Sequence, residues 1–196
     1  MNHPIALHYA EKLVAWIGPH VERVEIAGSI RRRRGVCNDV DIVCIPRLLQ
    51  TRDLFGEPTG SKNLLYLFLT DYVANSGGKA RFQSGGELPG KMVILQLPKC
   101  QLDLWFATPE TFATRLMCRT GSREHNIWLA SRAKRLGLKW NPYEGIFSGG
   151  VWRADVYEGG SLQRFGSEKE LYATLGLPFI EPISRELPLL VKQFGE

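Results

Sequence analysis

The segment Val36–Ile45, with Asp39 and Asp41 set among Val40, Ile42, Val43, Cys44 and Ile45, constrains the fold more than any other. A carboxylate inside an apolar strand is costly unless something compensates it. Residues at i and i+2 point to the same face of a pleated strand. The two acids therefore crowd like charge onto one face, which a bound cation would relieve, while Val40, Ile42 and Cys44 fill the other. Upstream, Val21–Ala27 reads as another strand, followed by a Gly28-Ser29 turn and four arginines, Arg31 to Arg34. Glycine and a hydroxyl at such a turn let backbone N–H groups approach phosphate oxygens closely. Arginine suits phosphate because its planar fork donates two hydrogen bonds at once.

Two further strands are expected at Met92–Leu97 and Gln101–Ala107, and the second contributes Asp103, a third carboxylate in apolar surroundings. If that strand lies beside Asp39-Val40-Asp41, the three acids converge on a candidate Mg2+ site. Two metal ions a few ångströms apart can activate an attacking oxygen and neutralise a leaving phosphate.

The remaining elements follow from periodicity and caps. A helix is expected near residues 5–17, ended by Gly18-Pro19, and another at Ser61–Asn75 with Ser61 as N-cap and Gly77-Gly78 beyond its end. Residues 46–60, punctuated by Pro46, Gly56, Pro58 and Gly60, read as a loop. Thr108-Pro109-Glu110 reads as a helix start and as the domain boundary. A helix over Ser122–Leu136, short strands at Gly145–Phe147 and Val151–Val156, and a Ser167–Glu170 capping box follow. The tail containing Pro178, Pro182 and Pro188 is expected to be extended.

No apolar run in the 196 residues approaches the roughly 20 needed to span a bilayer. The N-terminus lacks the basic-then-apolar pattern of a secretory signal, so an intracellular setting, with reduced Cys37, Cys44, Cys100 and Cys118, is expected. The formal net charge is +5, and between Arg115 and Lys139 seven Lys/Arg accompany the single acid Glu124. That concentration fits a polyanionic partner.

Gly28-Ser29, nine residues, Asp39-Val40-Asp41 and a later strand Asp103 resemble the nucleotidyltransferase superfamily. "AGSIRRRR…NDVDIV", "CQLDLWFATPETF", "RTGSREHN…LASRAKRLGLKWNPYEGIF" and "SEKELYATLGLPFIEP", in that order, are similar to the palm and thumb of family X DNA polymerases. The resemblance implies an α+β chain: a nucleotidyltransferase palm with a mixed β-sheet and flanking helices over residues 1–107, then a small α+β thumb over residues 108–196. It implies that Asp39, Asp41 and Asp103 are catalytic metal ligands for Mg2+, with Mn2+ as the alternative. Gly28, Ser29 and Arg32 would hold the triphosphate, Gly121-Ser122 would approach the nucleotide's sugar, and Asn126 would reach the minor-groove edge of its base. The implied partners are primer-template or gapped DNA and a nucleoside triphosphate, with no membrane, and the implied role is short-gap repair.

The sequence departs from the family at Cys118-Arg119, where an aromatic pair is common, at Ala130, where many members carry Arg, and at Gln101, often Arg. The first bears on deoxy versus ribo selectivity and the second on template dependence. With 27 residues before Gly28, neither the family's N-terminal lyase-type domain nor its helix-hairpin-helix fingers is expected. Weak, salt-sensitive DNA binding would follow. The other readings are a template-independent or RNA- or protein-modifying nucleotidyltransferase, a noncatalytic nucleic-acid-binding module, and a nuclease.

Overall fold

The apolar face of the Val36–Ile45 segment is what the first part of the molecule is built on. In the computed structural model, which describes residues 1–84 and 91–186, β1 (Val21–Ile26), β2 (Asp39–Pro46), β5 (Arg81–Ser84), β6 (Met92–Gln96) and β7 (Gln101–Phe106) form one mixed sheet in the order β1-β2-β7-β6-β5. The β2–β7 pair is parallel and the other pairs are antiparallel. Val40, Ile42, Leu102 and Leu104 are fully buried. Asp39, Asp41, Gln101 and Asp103 alternate with them and are half-buried, so strand periodicity alone separates core from site.

Helix α1 (His3–Ile17) packs against β1 and β2. Asn2 caps it by accepting the Ile5 N–H at 3.1 Å, with a proline in its first turn. Its start lies two residues before the expected one because Asn2 supplies that cap. Likewise α3 (Leu64–Asn75) is capped by Asn63, not Ser61, with the Tyr66 N–H donating to Asn63 Oδ1 at 3.0 Å.

Residues 46–60 are not a loop. They carry most of a two-stranded antiparallel hairpin, β3 (Leu48–Arg52) and β4 (Pro58–Asn63). Both strands are largely exposed, so no buried face leaves the alternation by which a strand is recognised. Strand β5 was also not expected. The strand expected from Val36 begins at Asp39, and Val36 itself makes only an isolated bridge to Asn2.

The chain divides into two compact units, Met1–Ile26 with Gly35–Ala107, and Ala27–Arg34 with Thr108–Glu196. The second unit contains α2 (Gly28–Arg31), α4 (Phe112–Thr120), α5 (Arg123–Arg135), α6 (Glu168–Thr174) and a three-stranded antiparallel sheet, β8 (Lys139–Asn141), β9 (Gly145–Arg153) and β10 (Val156–Gln163). Its core gathers Met117, Trp128, Leu129, Ile146, Leu171 and Tyr172. Trp128 and Leu129 thus serve packing, whereas Leu136 is 48% exposed beyond the helix end.

Thr108-Pro109-Glu110 does not start α4. The Thr108 N–H donates to Thr111 Oγ1 at 2.9 Å, closing a turn first, and the helix begins at Phe112. The capping box is present: the Glu170 N–H donates to Ser167 Oγ at 3.3 Å, and the Gly166 N–H to Glu170 Oε2 at 3.1 Å. A short 3-10 turn occupies Pro182–Ser184, and the expectation for the tail past residue 186 lies outside the described residues. The four cysteines are buried and none is in a disulfide, with the Cys44 thiol pushed up to about 12 by burial.

Leu104→Ala should lower the unfolding free energy by about 2–5 kcal/mol in urea denaturation. Leu54→Ala, at the fully exposed hairpin tip, should change it by less than about 0.5 kcal/mol.

Candidate active site

In the first unit, strand register does the positioning. Asp41 pairs with Asp103 across the parallel β2–β7 ladder, and Asp39 pairs with Gln101. In-register neighbours point to the same side of a sheet, so the three carboxylates share one face. Two side chains govern how they are held. Gln101 Nε2 donates to Asp103 Oδ1 at 2.8 Å, and Trp105 Nε1 donates to Asp41 Oδ1 at 3.2 Å.

Among the described residues no three His, Cys, Asp or Glu side chains are gathered as a group able to hold a metal ion. The register brings the backbones together, while Gln101 and Trp105 each hold one carboxylate oxygen. The donor set itself, hard carboxylate oxygens on rigid strands, is the chemistry that Mg2+ prefers.

The expected nucleotide residues all fall in the second unit. Gly28 has φ +59°, a conformation glycine adopts without strain, and the next residue places its hydroxyl in the interior. Ser29 Oγ is buried with no hydrogen-bond partner, and such an orphaned group costs on the order of 1–3 kcal/mol.

The arginine run divides its labour. Arg31 is committed to structure: Nη1 donates to Thr120 Oγ1 at 2.7 Å and to Glu168 Oε1 at 3.0 Å, and Nη2 to Glu168 Oε2 at 2.7 Å. Arg32 Nη1 donates to the Thr120 carbonyl at 2.7 Å, and its Nε to Glu186 Oε1 at 2.7 Å. Arg33 and Arg34 are exposed. Through Thr120, α2 and the Gly121-Ser122 turn are brought together in one unit.

Gly121 has φ near −64°, so its backbone does not demand glycine. Close approach does: a Cβ there would collide with the His125 ring and lie 2.9 Å from Asn126 Oδ1. Ser122 caps α5 by accepting the His125 N–H at 3.0 Å. Asn126 Nδ2 donates to the Cys118 carbonyl at 2.8 Å, which turns its Oδ1 toward His125 Nδ1 at 3.4 Å. That assigns the ring proton to Nδ1 and leaves Nε2 to accept from the Tyr172 hydroxyl at 2.8 Å. Burial, reinforced by the positive charge of Arg185, lowers the His125 pKa to about 3, so the ring is neutral. Burial likewise pushes the Tyr172 hydroxyl up, which keeps it a donor.

The group that sequence reasoning missed is Glu168, read there only as part of a capping box. It is 8% exposed, and Arg185 Nη1 meets its Oε1 at 2.6 Å, opposite Arg31. Burial alone would raise its pKa, but the hydrogen bonds and charges of Arg31 and Arg185 outweigh it and hold the carboxyl below the ordinary range. Arg185 is fully buried, with its guanidinium 5.3 Å from the Tyr172 ring centroid.

The basic stretch is also partly structural. Arg132 Nε donates to the Leu175 carbonyl at 2.7 Å, and Lys134 Nζ to Asp155 Oδ1 at 2.8 Å. Arg123, Arg135 and Ala130 lie exposed on α5.

Residues 115–186 match the family model described as DNA polymerase beta thumb. The chain is 28% identical over 178 residues, 90% of its length, to a DNA polymerase/3'-5' exonuclease PolX of Bacillus subtilis (strain 168), and spans 26% of that relative's length. It has the fold of Leishmania infantum polymerase beta, solved as a ternary P/T complex, with TM-score 0.63 and 19% identity over 95% of this chain and 76% of that one. Among the described residues no helix is long and apolar enough to cross a membrane.

His125 makes stability pH-dependent with a definite sign. Its folded pKa lies below the unfolded value near 6.5, so the unfolded chain binds the extra proton. The stabilisation is complete above about pH 6.5 and declines toward pH 3, at up to about 1.4 kcal/mol per pH unit. Urea denaturation at pH 7 and pH 5 should show the loss in the wild type and a smaller one in His125→Gln. Glu168→Ala, which strands two arginines, should cost about 3–5 kcal/mol in the same assay.

Proposed function

We infer that this chain, whose resemblance to family X DNA polymerases is borne out by the thumb match and the Bacillus relative, transfers nucleotides to a DNA 3′-hydroxyl. In this reading residues 1–107 are the palm, apart from the arginine turn at 27–34, and residues 108–196 the thumb. The observation that supports it most is the pairing of Asp41 with Asp103 on the face that also carries Asp39. Three half-buried acids on a shared strand face are a liability for stability unless they serve chemistry.

Each residue's part follows from its surroundings. Asp39 and Asp41 would hold divalent cations through oxygen, and Asp103 would take part beside the attacking hydroxyl. Those cations, when bound, neutralise phosphate charge and lower the pKa of that hydroxyl. Ser29, with its hydroxyl buried and unmatched, would donate to a phosphate oxygen. Arg32, anchored through Thr120 and Glu186, would present its planar fork to the same triphosphate.

Gly121, packed against His125 and Asn126, would bring its backbone close to the sugar. Asn126, whose Nδ2 already donates one hydrogen to the Cys118 carbonyl, would turn its remaining N–H toward the base edge. Minor-groove acceptors are shared by all base pairs, so such a contact would test shape rather than sequence. Exposed Arg123 and Arg135 would contact the DNA backbone, and gap filling in repair is the role that the family resemblance implies.

Primer extension tests the reading directly. Wild type should extend a primer-template with Mg2+, and Asp103→Ala should lose about 100-fold or more of that activity. Equal extension by both proteins would refute it. Raising salt should weaken DNA binding steeply, as measured by anisotropy.

A further inference from the structure

We propose that the cleft between α1, α3 and the β6–β7 turn binds a nucleotide unit of single-stranded DNA, independently of the carboxylate face. The cleft, about 340 Å3, is lined by Tyr9, Lys12, Trp16, Tyr72, Lys99 and Cys100, with aliphatic neighbours. That volume lies in the range of small-ligand sites. The residues come from one unit only.

Tyr9, Lys12, Leu13 and Trp16 are spaced i, i+3, i+4, i+7, so α1 presents them on one face. Trp16 is held by aromatic packing: its ring centroid is 4.8 Å from that of Tyr72 in an edge-on contact and 4.9 Å from that of Phe68. A ring fixed in this way offers a stacking wall with little side-chain freedom left to lose. The opposite bank is equally ordered. The Leu97 N–H donates to the Cys100 carbonyl at 2.9 Å, closing the turn, and Lys99 at its tip sets Nζ 5.5 Å from the Tyr9 ring centroid.

The lining chemistry selects the ligand. Its charged members are Lys12 and Lys99, both exposed, and it includes no carboxylate, so an anion is favoured. The walls are aromatic and aliphatic, so the body of the ligand is a flat apolar ring. A base joined to phosphate satisfies both, and base-on-aromatic stacking with flanking cations is how single strands are held without sequence preference. Because the two lysines come from different elements on opposite banks, a strand crossing the cleft meets a cation on each side. None of these residues belongs to the proposed catalytic set, so the inference stands apart from the polymerase reading.

The test is a titration of the full chain with the oligonucleotide dT5 in EDTA at low salt, read by tryptophan fluorescence and by anisotropy of labelled dT5. Binding should quench Trp16. Trp16→Leu should abolish that component and weaken binding roughly tenfold. Lys12→Glu/Lys99→Glu should weaken it about fivefold or more. Lys99→Glu alone, on an exposed turn, keeps the test valid if Trp16→Leu fails to fold.

Four outcomes would overturn the proposal. They are unaltered binding in the lysine variants, an abasic pentamer bound as tightly as dT5, dTMP bound as tightly as dT5, which would mark a free-nucleotide site, and an apolar-surface dye that dT5 cannot displace, which would mark a protein-docking surface.

Discussion

The carboxylate of Glu168 is the contact on which the second unit most depends. Its two oxygens receive Arg31 from the segment after β1 and Arg185 from the end of the described chain. Three stretches far apart in sequence are thereby fixed around one buried charge. Such a network is stable only when complete, since removing a partner leaves an uncompensated ion in low dielectric. Because Arg31 also bonds Thr120 and Arg32 bonds the Thr120 carbonyl, the same network orders both the glycine-serine turn and the Gly121 turn. His125 and Tyr172, neutral and mutually hydrogen-bonded, complete its uncharged side.

The first unit rests on a different constraint, period-two alternation along two parallel strands. The apolar positions of β2 and β7 bury themselves, so the acidic positions have no alternative to a shared face. Gln101 and Trp105 then tether two of the acids with neutral donors. A neutral amide adjoining Asp103 steers the carboxylate without cancelling its charge, which suits a group proposed to work with cations.

The acidic face was legible in the sequence because a strand's alternation is local: Asp39, Asp41 and Asp103 stand out wherever Val40, Ile42 and Leu104 are recognised as core. The helix over Arg123–Arg135 and the Ser167 box were equally legible, since caps act within one turn. What escaped depends on long-range placement. Nothing local distinguishes Arg31, a half-buried anchor, from Arg33, an exposed neighbour two residues on. Glu168 carries a cap-like context that conceals its burial, and the exposed hairpin at 48–63 has no core face to declare it. Asn126 was legible as a polar residue past the Gly-Ser turn, but its tie to Cys118 was not.

Two proposals are central: the strand acids hold the cations that accompany a nucleoside triphosphate, and Ser29 donates to a phosphate. Calorimetric titration of a deoxynucleoside triphosphate with Mg2+ into wild type, Ser29→Ala and Asp41→Asn/Asp103→Asn measures both without requiring turnover. The account predicts binding that strengthens with Mg2+ in the wild type, weakens in Ser29→Ala, and loses its Mg2+ dependence in the double variant. Equal affinity in all three proteins, with and without Mg2+, would contradict it.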